Sequence, residues 1–151
     1  MKFELSKLRI RPVKEEELLR IFEIERQSFK DPYPIDLLRY LLRSNPLSFL
    51  VAEFAGKIVG YVIGTVRFPN MGHVLNIAVD PQFRRRGVGT ALMKKLMEYF
   101  RGRGVSLVRL EARESNRSAH KFYLSLGFEM IGKVPLYYSD GETAFLFEKE
   151  L

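Results

Sequence analysis

The stretch from Val74 to Phe100 leaves this chain few folds to choose from, because the backbone pattern changes twice within it. An apolar run ends at Asp80-Pro81, Arg84, Arg85 and Arg86 follow, and past Gly87 and Gly89 the apolar residues Val88, Leu92, Leu96 and Phe100 recur at helical spacing. The order is strand, basic glycine-containing turn, helix. The opening N–H groups of a helix lack intrahelical acceptors and lie at the positive end of its dipole, so anions bind there. Glycines at 87 and 89 keep side chains out of the way and the arginines add charge, so a pyrophosphate would fit. A tight turn with a solvated basic rim is spelled by the same letters. Two nucleotide motifs are excluded: the Walker spacing needs Lys and then Ser or Thr after the second glycine, and the dinucleotide fingerprint needs a glycine at position 92, which is Leu92.

At 151 residues the chain is expected to form a single domain, 1–151, burying roughly 70% of its unfolded surface. It contains no cysteine, which removes a disulfide scaffold, a thiol nucleophile and a thiolate metal site together, and no metal is expected. Met1 to Ile10 has no signal-like apolar core, and no apolar run approaches the ~20 residues that span a bilayer. A cytoplasmic protein without membrane association is expected. The net charge of +7 fits nucleic acid, a ribosome, a membrane surface or a polyanionic small ligand, and does not choose among them.

Read in order, Lys7 to Pro12 alternates as a first strand, and Val13 to Phe29 reads as a helix with Leu18, Ile21, Phe22 and Phe29 on one stripe. Glu25 falls on that stripe and is read as a helix edge or a capped neighbour in preference to an inward carboxylate near a site. Asp31-Pro32-Tyr33-Pro34 breaks the helix, and a second helix covers Ile35 to Arg43. Phe49 to Phe54 and Lys57 to Val66 form a hairpin around Ala55-Gly56, and the strand before the basic turn covers His73 to Val79. Val105 to Ala112 is a strand with Val108, Leu110 and Ala112 on one face and Leu107, Arg109 and Glu111 on the other; strand, helix, strand here implies a parallel pair. Asn116 caps a helix over Arg117 to Leu126, and Phe128 to Pro135 and Glu142 to Phe147 are strands turning at Asp140-Gly141.

Together these residues resemble a GCN5-related N-acetyltransferase (GNAT). The acetyl-CoA motif of that family stands here as Val79-Asp80-Pro81 and Arg84-Arg85-Arg86-Gly87-Val88-Gly89. A second block stands as Leu110-Glu111-Ala112-Arg113, Ser115-Asn116, Ala119, Phe122-Tyr123 and Leu126-Gly127-Phe128. The resemblance covers nearly the whole chain. It implies an α/β fold with a central mixed, mostly antiparallel sheet, a splayed parallel pair and helices on both faces, and acetyl-CoA as cofactor. Asn76-Ile77-Ala78-Val79 and Tyr137-Tyr138-Ser139-Asp140-Gly141-Glu142 are similar to the N-terminal protein acetyltransferases of the ribosomal-protein-alanine type and their archaeal relatives. Acceptors would then be protein or peptide N-termini, ribosomal proteins among them, with no DNA and no membrane partner, and the enzyme a monomer or weak dimer.

The same resemblance distributes the site. The backbone of Ile77, Ala78 and Val79 would polarise the thioester carbonyl, Arg84 to Arg86, Gly87, Val88, Gly89 and Thr90 would serve the phosphates, and Asn116, Ala119 and Tyr123 would meet the rest of the cofactor. Asp31, Tyr33, Tyr137 and Tyr138 would hold the acceptor, with half-buried strand aromatics as the plainer account of the tyrosines. An α-amino group titrates near ~8 against ~10.4 for lysine, so a weak base suffices. Glu111 is the first candidate, with a structural salt bridge to Arg109 or Arg113 as its competing account; His73 is the second. Tyr123 is the candidate acid for the thiolate, or a core aromatic. Direct transfer is expected, since no cysteine and no serine with a plausible histidine partner could carry a covalent intermediate. Acetylation of a small amine or lysine side chain is the first alternative, and a basic RNA- or ribosome-binding module, or a non-catalytic acetyl-CoA-binding domain, the second.

Overall fold

The computed structural model describes residues 2–151. Seven strands form one sheet in the order β1-β2-β3-β4-β5-β7-β6. They are β1 Arg9–Pro12, β2 Phe49–Phe54, β3 Lys57–Arg67, β4 Met71–Val79, β5 Leu107–Arg113, β6 Glu129–Val134 and β7 Ala144–Glu150. The helices are α1 Leu18–Ser28, α2 Ile35–Ser44, α3 Val88–Gly102 and α4 Arg117–Ser125. The chain divides into two compact units, one of residues up to Thr65 with Asn76–Tyr99, the other of Val66–Leu75 with Phe100–Leu151. It crosses from one to the other within β3, β4 and α3.

In the first unit β1 pairs antiparallel with β2, and β2 with β3. The β2–β3 turn holds Ala55 at φ 51° and Gly56 at φ 77°, the left-handed pair that a two-residue hairpin needs to match strand twist. Helices cover both faces of β3. A Cβ at Gly60 would lie 3.2 Å from Val88 and 3.3 Å from Leu92 of α3, whereas the next residue, Tyr61, points the other way and meets Glu25 of α1. Ile21, Ile24 and Leu38 are fully buried on the α1–α2 side.

In the second unit β4 and β5 are parallel, with register Met71↔Leu107 to His73↔Arg109, and both strands continue beyond this short ladder. β7 lies antiparallel between β5 and β6. Val108, Leu110 and Ala112 are buried on one face of β5 while Leu107, Arg109, Glu111 and Arg113 alternate onto the other, as the period of the sequence requires. Gly72 permits the buried packing: a Cβ there would come within 2.8 Å of the Phe100 ring. The mixed, mostly antiparallel sheet with its parallel pair is thus the expected architecture.

Several boundaries differ from the sequence reading. Leu5–Lys7 closes as a 3-10 turn, so β1 starts at Arg9. Glu15–Glu17 is likewise a 3-10 turn: the Lys14 N–H donates to Glu17, so α1 begins only at Leu18. β4 starts at Met71, β5 covers Leu107–Arg113, and β7 runs to Glu150 because its whole length pairs with β5. Asp140-Gly141 lies inside a longer connection, residues 135–143, with the Gly141 N–H bonded to the Tyr138 carbonyl.

Candidate active site

The basic turn lies in the first unit. Asp80 ends β4, accepts the Gln82 N–H at 2.9 Å and pairs with Arg20 Nη2 at 2.5 Å, fixing where the strand stops. Burial would raise the Asp80 carboxyl, but the Gln82 N–H and Arg20 outweigh it and hold it below the usual range. The Arg84 Nε donates to the Val79 carbonyl at 3.0 Å and its Nη2 to Ser28 Oγ at 3.1 Å, so Arg84 shapes the turn as well as charging it. Arg85 sits at φ 61° and Gly87 at φ 89°. Arg86 lies over the rings of Phe3 and Phe83, 5.6 and 5.8 Å from their centroids. The Ala91 N–H makes the first helical bond, to Gly87. The N–H groups of Val88, Gly89 and Thr90 precede it and have no acceptor within the helix. No acidic residue stands in the first turn of α3. A donor-only, positively charged helix start fits the diphosphate of a coenzyme.

Glu25 is corrected by the structure: it is not an edge residue but 0% exposed. Its Oε1 accepts the Tyr61 hydroxyl and, at 2.6 Å, Asn76 Nδ2, while Oε2 accepts the Tyr33 backbone N–H at 2.9 Å. One carboxylate thus ties α1, β3, β4 and the Asp31–Pro34 segment. Burial raises its pKa despite these donors, and burial with the Glu25 charge raises Tyr61 as well. Tyr33 is half-buried beside it and Asp31 is exposed. Ala78 is buried and Ile77 and Val79 half-buried in β4.

The second unit carries a chain of polar groups on the Glu111 face of the sheet. His73 lies opposite Arg109 in the β4–β5 ladder, so Glu111, two residues on, shares its face. His73 Nε2 lies 2.7 and 3.0 Å from the two carboxylate oxygens of Glu111. The Tyr137 hydroxyl donates to Glu111 Oε1 at 3.2 Å, and Arg67 Nε donates to His73 Nδ1 at 3.1 Å. Burial acts to raise the Glu111 carboxyl, but the His73 and Tyr137 contacts prevail and lower it. Of the two arginines weighed as structural partners of Glu111, Arg109 pairs with Glu148 and adds only a smaller lowering of the Glu111 carboxyl by its charge, and Arg113 pairs with Asp140 and Glu142.

Tyr123 lies on the opposite face of the same sheet. Its ring is 5.7 Å from Phe147, which stands opposite Leu110 in the β5–β7 ladder and therefore shares the buried face. Burial pushes the Tyr123 phenol well up, with a smaller push from Tyr138. The Asn116 Oδ1 accepts the Ala119 N–H at 3.2 Å, a working N-cap that leaves its amide N–H groups as donors. Tyr138 packs under the Arg113 guanidinium, 4.2 Å from ring centroid to cation, and edge-on to Tyr137 at 4.9 Å.

The two base candidates are therefore brought together with Tyr137, and Tyr138 joins them through Tyr137, while Tyr123 is held apart on the other face. Sequence reasoning did not single out Arg67, Tyr61 or the Arg113 clamp on Asp140 and Glu142. Only Glu25 gave a signal, as a charge on an apolar stripe. Among the described residues no group of His, Asp and Glu is arranged to hold a metal, and no helix is long and apolar enough to cross a membrane.

A model of the acetyltransferase (GNAT) family matches residues 18–128. The chain is 39% identical over 142 residues to an uncharacterized N-acetyltransferase of Methanocaldococcus jannaschii, covering 93% of this chain and 90% of the relative. It is 35% identical over 158 residues to an N-alpha-acetyltransferase of Sulfurisphaera tokodaii, covering 95% and 93%. Among solved structures, Ard1 from Thermoplasma volcanium matches with a TM-score of 0.93 at 33% identity, covering 96% of this chain and 98% of that one.

Proposed function

The chain belongs to the GNAT acetyltransferase family, and from that premise we propose that it acetylates the α-amino group of protein N-termini by direct transfer. It is an acyltransferase and acetyl-CoA is its cofactor. Bound acetyl-CoA supplies an activated acetyl thioester. The residues then have four tasks. The N–H groups of Val88, Gly89 and Thr90, with Arg84 to Arg86, would hold the diphosphate, and Asn116 and Ala119 would hold the arm. The β4 backbone at Ile77 to Val79 would polarise the thioester carbonyl. Glu111 would accept the proton that the acceptor amine gives up, and the Tyr123 hydroxyl would supply a proton to the thiolate leaving group.

The observation that carries the acceptor class is the hydrogen-bonded state of Glu111. An amine titrating near ~8 needs only a weak base, unlike one near ~10.4, and a carboxylate held in place by His73 and Tyr137 suits that task. Similarity to an N-alpha-acetyltransferase over 95% of the chain supports the same acceptor. Tyr33, Asp31, Tyr137 and Tyr138 are the proposed acceptor-binding residues, in a cytoplasmic enzyme that needs no membrane or DNA partner. The test is a panel of N-terminal peptides, ribosomal-protein N-termini among them, against polyamines, aminoglycosides and lysine peptides, scored by acetyl-CoA consumption. Turnover of the peptides is expected, and activity confined to small amines or lysine would overturn the acceptor.

A further inference from the structure

His73 and Glu111 stand as two candidates for one task, and the hydrogen bonds around them separate their roles. Arg67, at the end of β3, points its Nε at His73 Nδ1, 3.1 Å away. A guanidinium has donors and no acceptor, so at this contact the imidazole nitrogen must accept and carries no proton. A neutral imidazole then bears its single proton on the other nitrogen. That nitrogen, Nε2, faces Glu111 at 2.7 Å and donates to it. A proton on Nδ1 would point its N–H at that of Arg67, so the contact selects an unprotonated Nδ1. Both ring nitrogens are thus engaged, one receiving a proton contact and one giving it. Glu111 is different: a carboxylate offers about four acceptor positions, and His73 and Tyr137 do not use them all.

We infer that Arg67 is a positioning residue that fixes His73 as the Nε2–H tautomer and so leaves Glu111 as the group able to take a proton from the amine. The identity of that amine rests on the acetyl-transfer reading, whereas the tautomer rests on the Arg67–His73–Glu111 geometry alone. His73 serves as a donor that steers the carboxylate, and Arg67 acts at one remove without touching substrate. Arg67 is exposed, so its replacement leaves the core intact.

Nitrogen-15 NMR of protein labelled in histidine tests this directly, since the chain has only His73 and His120 and a His120→Gln variant assigns the signals. The expected result is a protonated Nε2 and an unprotonated Nδ1 at His73. Arg67→Ala should lose that preference and lower kcat by about tenfold with the KM for acetyl-CoA unchanged, and Arg67→Lys, which keeps a donor, should restore most of both. A protonated Nδ1 in the wild type, or an unaltered tautomer in Arg67→Ala, would overturn the inference. In kinetics on an N-terminal peptide, Glu111→Gln should cost about 100-fold or more in kcat and His73→Gln, which retains an N–H donor, about tenfold. The reverse order would return the base to His73. A protein inactive on every amine would sink the acceptor assignment, and the NMR result would still decide the tautomer.

Discussion

Glu25 shows how much one buried carboxylate can organise. Removing it in Glu25→Ala strands the Tyr61 hydroxyl, the Asn76 amide and the Tyr33 N–H, and an unsatisfied buried group costs about 1–3 kcal/mol. A loss of about 3 kcal/mol or more in urea unfolding is expected, and a loss below about 1 kcal/mol would show that the cluster relaxes. Because burial raises the Glu25 pKa, the folded state keeps that proton to higher pH than the unfolded chain, where a glutamate titrates near ~4.3. The unfolded state then binds fewer protons across the interval, so this contribution is full at lower pH and falls as pH rises through the folded pKa. Glu25→Gln should abolish that part of the slope, which unfolding midpoints followed across the acidic to neutral range would read. At the site itself, Tyr123→Phe should lower kcat while leaving acetyl-CoA affinity near wild type, and undiminished turnover would remove its phenol from the mechanism.

At the level of elements, the turn into α3 and the β6–β7 connection each depend on a short device. Gly87 at φ 89° cannot be replaced cheaply, because a side chain there adopts a left-handed backbone and meets Leu5 at 3.1 Å. Gly87→Ala should cost about 1–2 kcal/mol and weaken acetyl-CoA binding measured by calorimetry; unchanged affinity would separate the turn from the cofactor. In the connection, Arg113 Nη1 holds Glu142 at 2.7 Å and Asp140 at 2.9 Å, and Glu142 also accepts the Ser115 N–H at 2.9 Å. The bonds to Ser115 and Arg113 push the Glu142 carboxyl down to about 2. Its folded pKa lies below its unfolded one, so the stabilisation is present above the ordinary carboxylate range and is lost as pH falls toward about 2. Glu142→Gln should therefore lower Tm at neutral pH, and the difference should close on acidification. A gap independent of pH would assign the effect to packing.

Across the whole molecule, acetyl-CoA at 100 times its Kd should raise unfolding stability by about 2.7 kcal/mol, whereas salt-sensitive RNA binding without that shift would favour a basic binding module. What the sequence revealed and what it concealed divide by range. The strand, basic turn and helix from Val74 to Phe100, the parallel β4–β5 pair and the Asn116 cap were legible because each is written in adjacent letters or one local period. The partners of Glu25 and Glu111 were not, because Tyr61, Asn76 and His73 lie in distant strands that only the register brings near. Lys7 misled for the opposite reason: it fits the alternation of the strand read over Lys7 to Pro12, but its N–H bonds back to Glu4. Neither compact unit is a continuous segment, since the chain passes between them in β3, β4 and α3. Severing the backbone at Gly104 would thus deliver no finished half: the tail piece would carry β5 but not β4, its parallel neighbour. Two such fragments fused to interacting proteins should be silent apart and regain turnover when brought together, which makes this chain a scaffold for a proximity reporter.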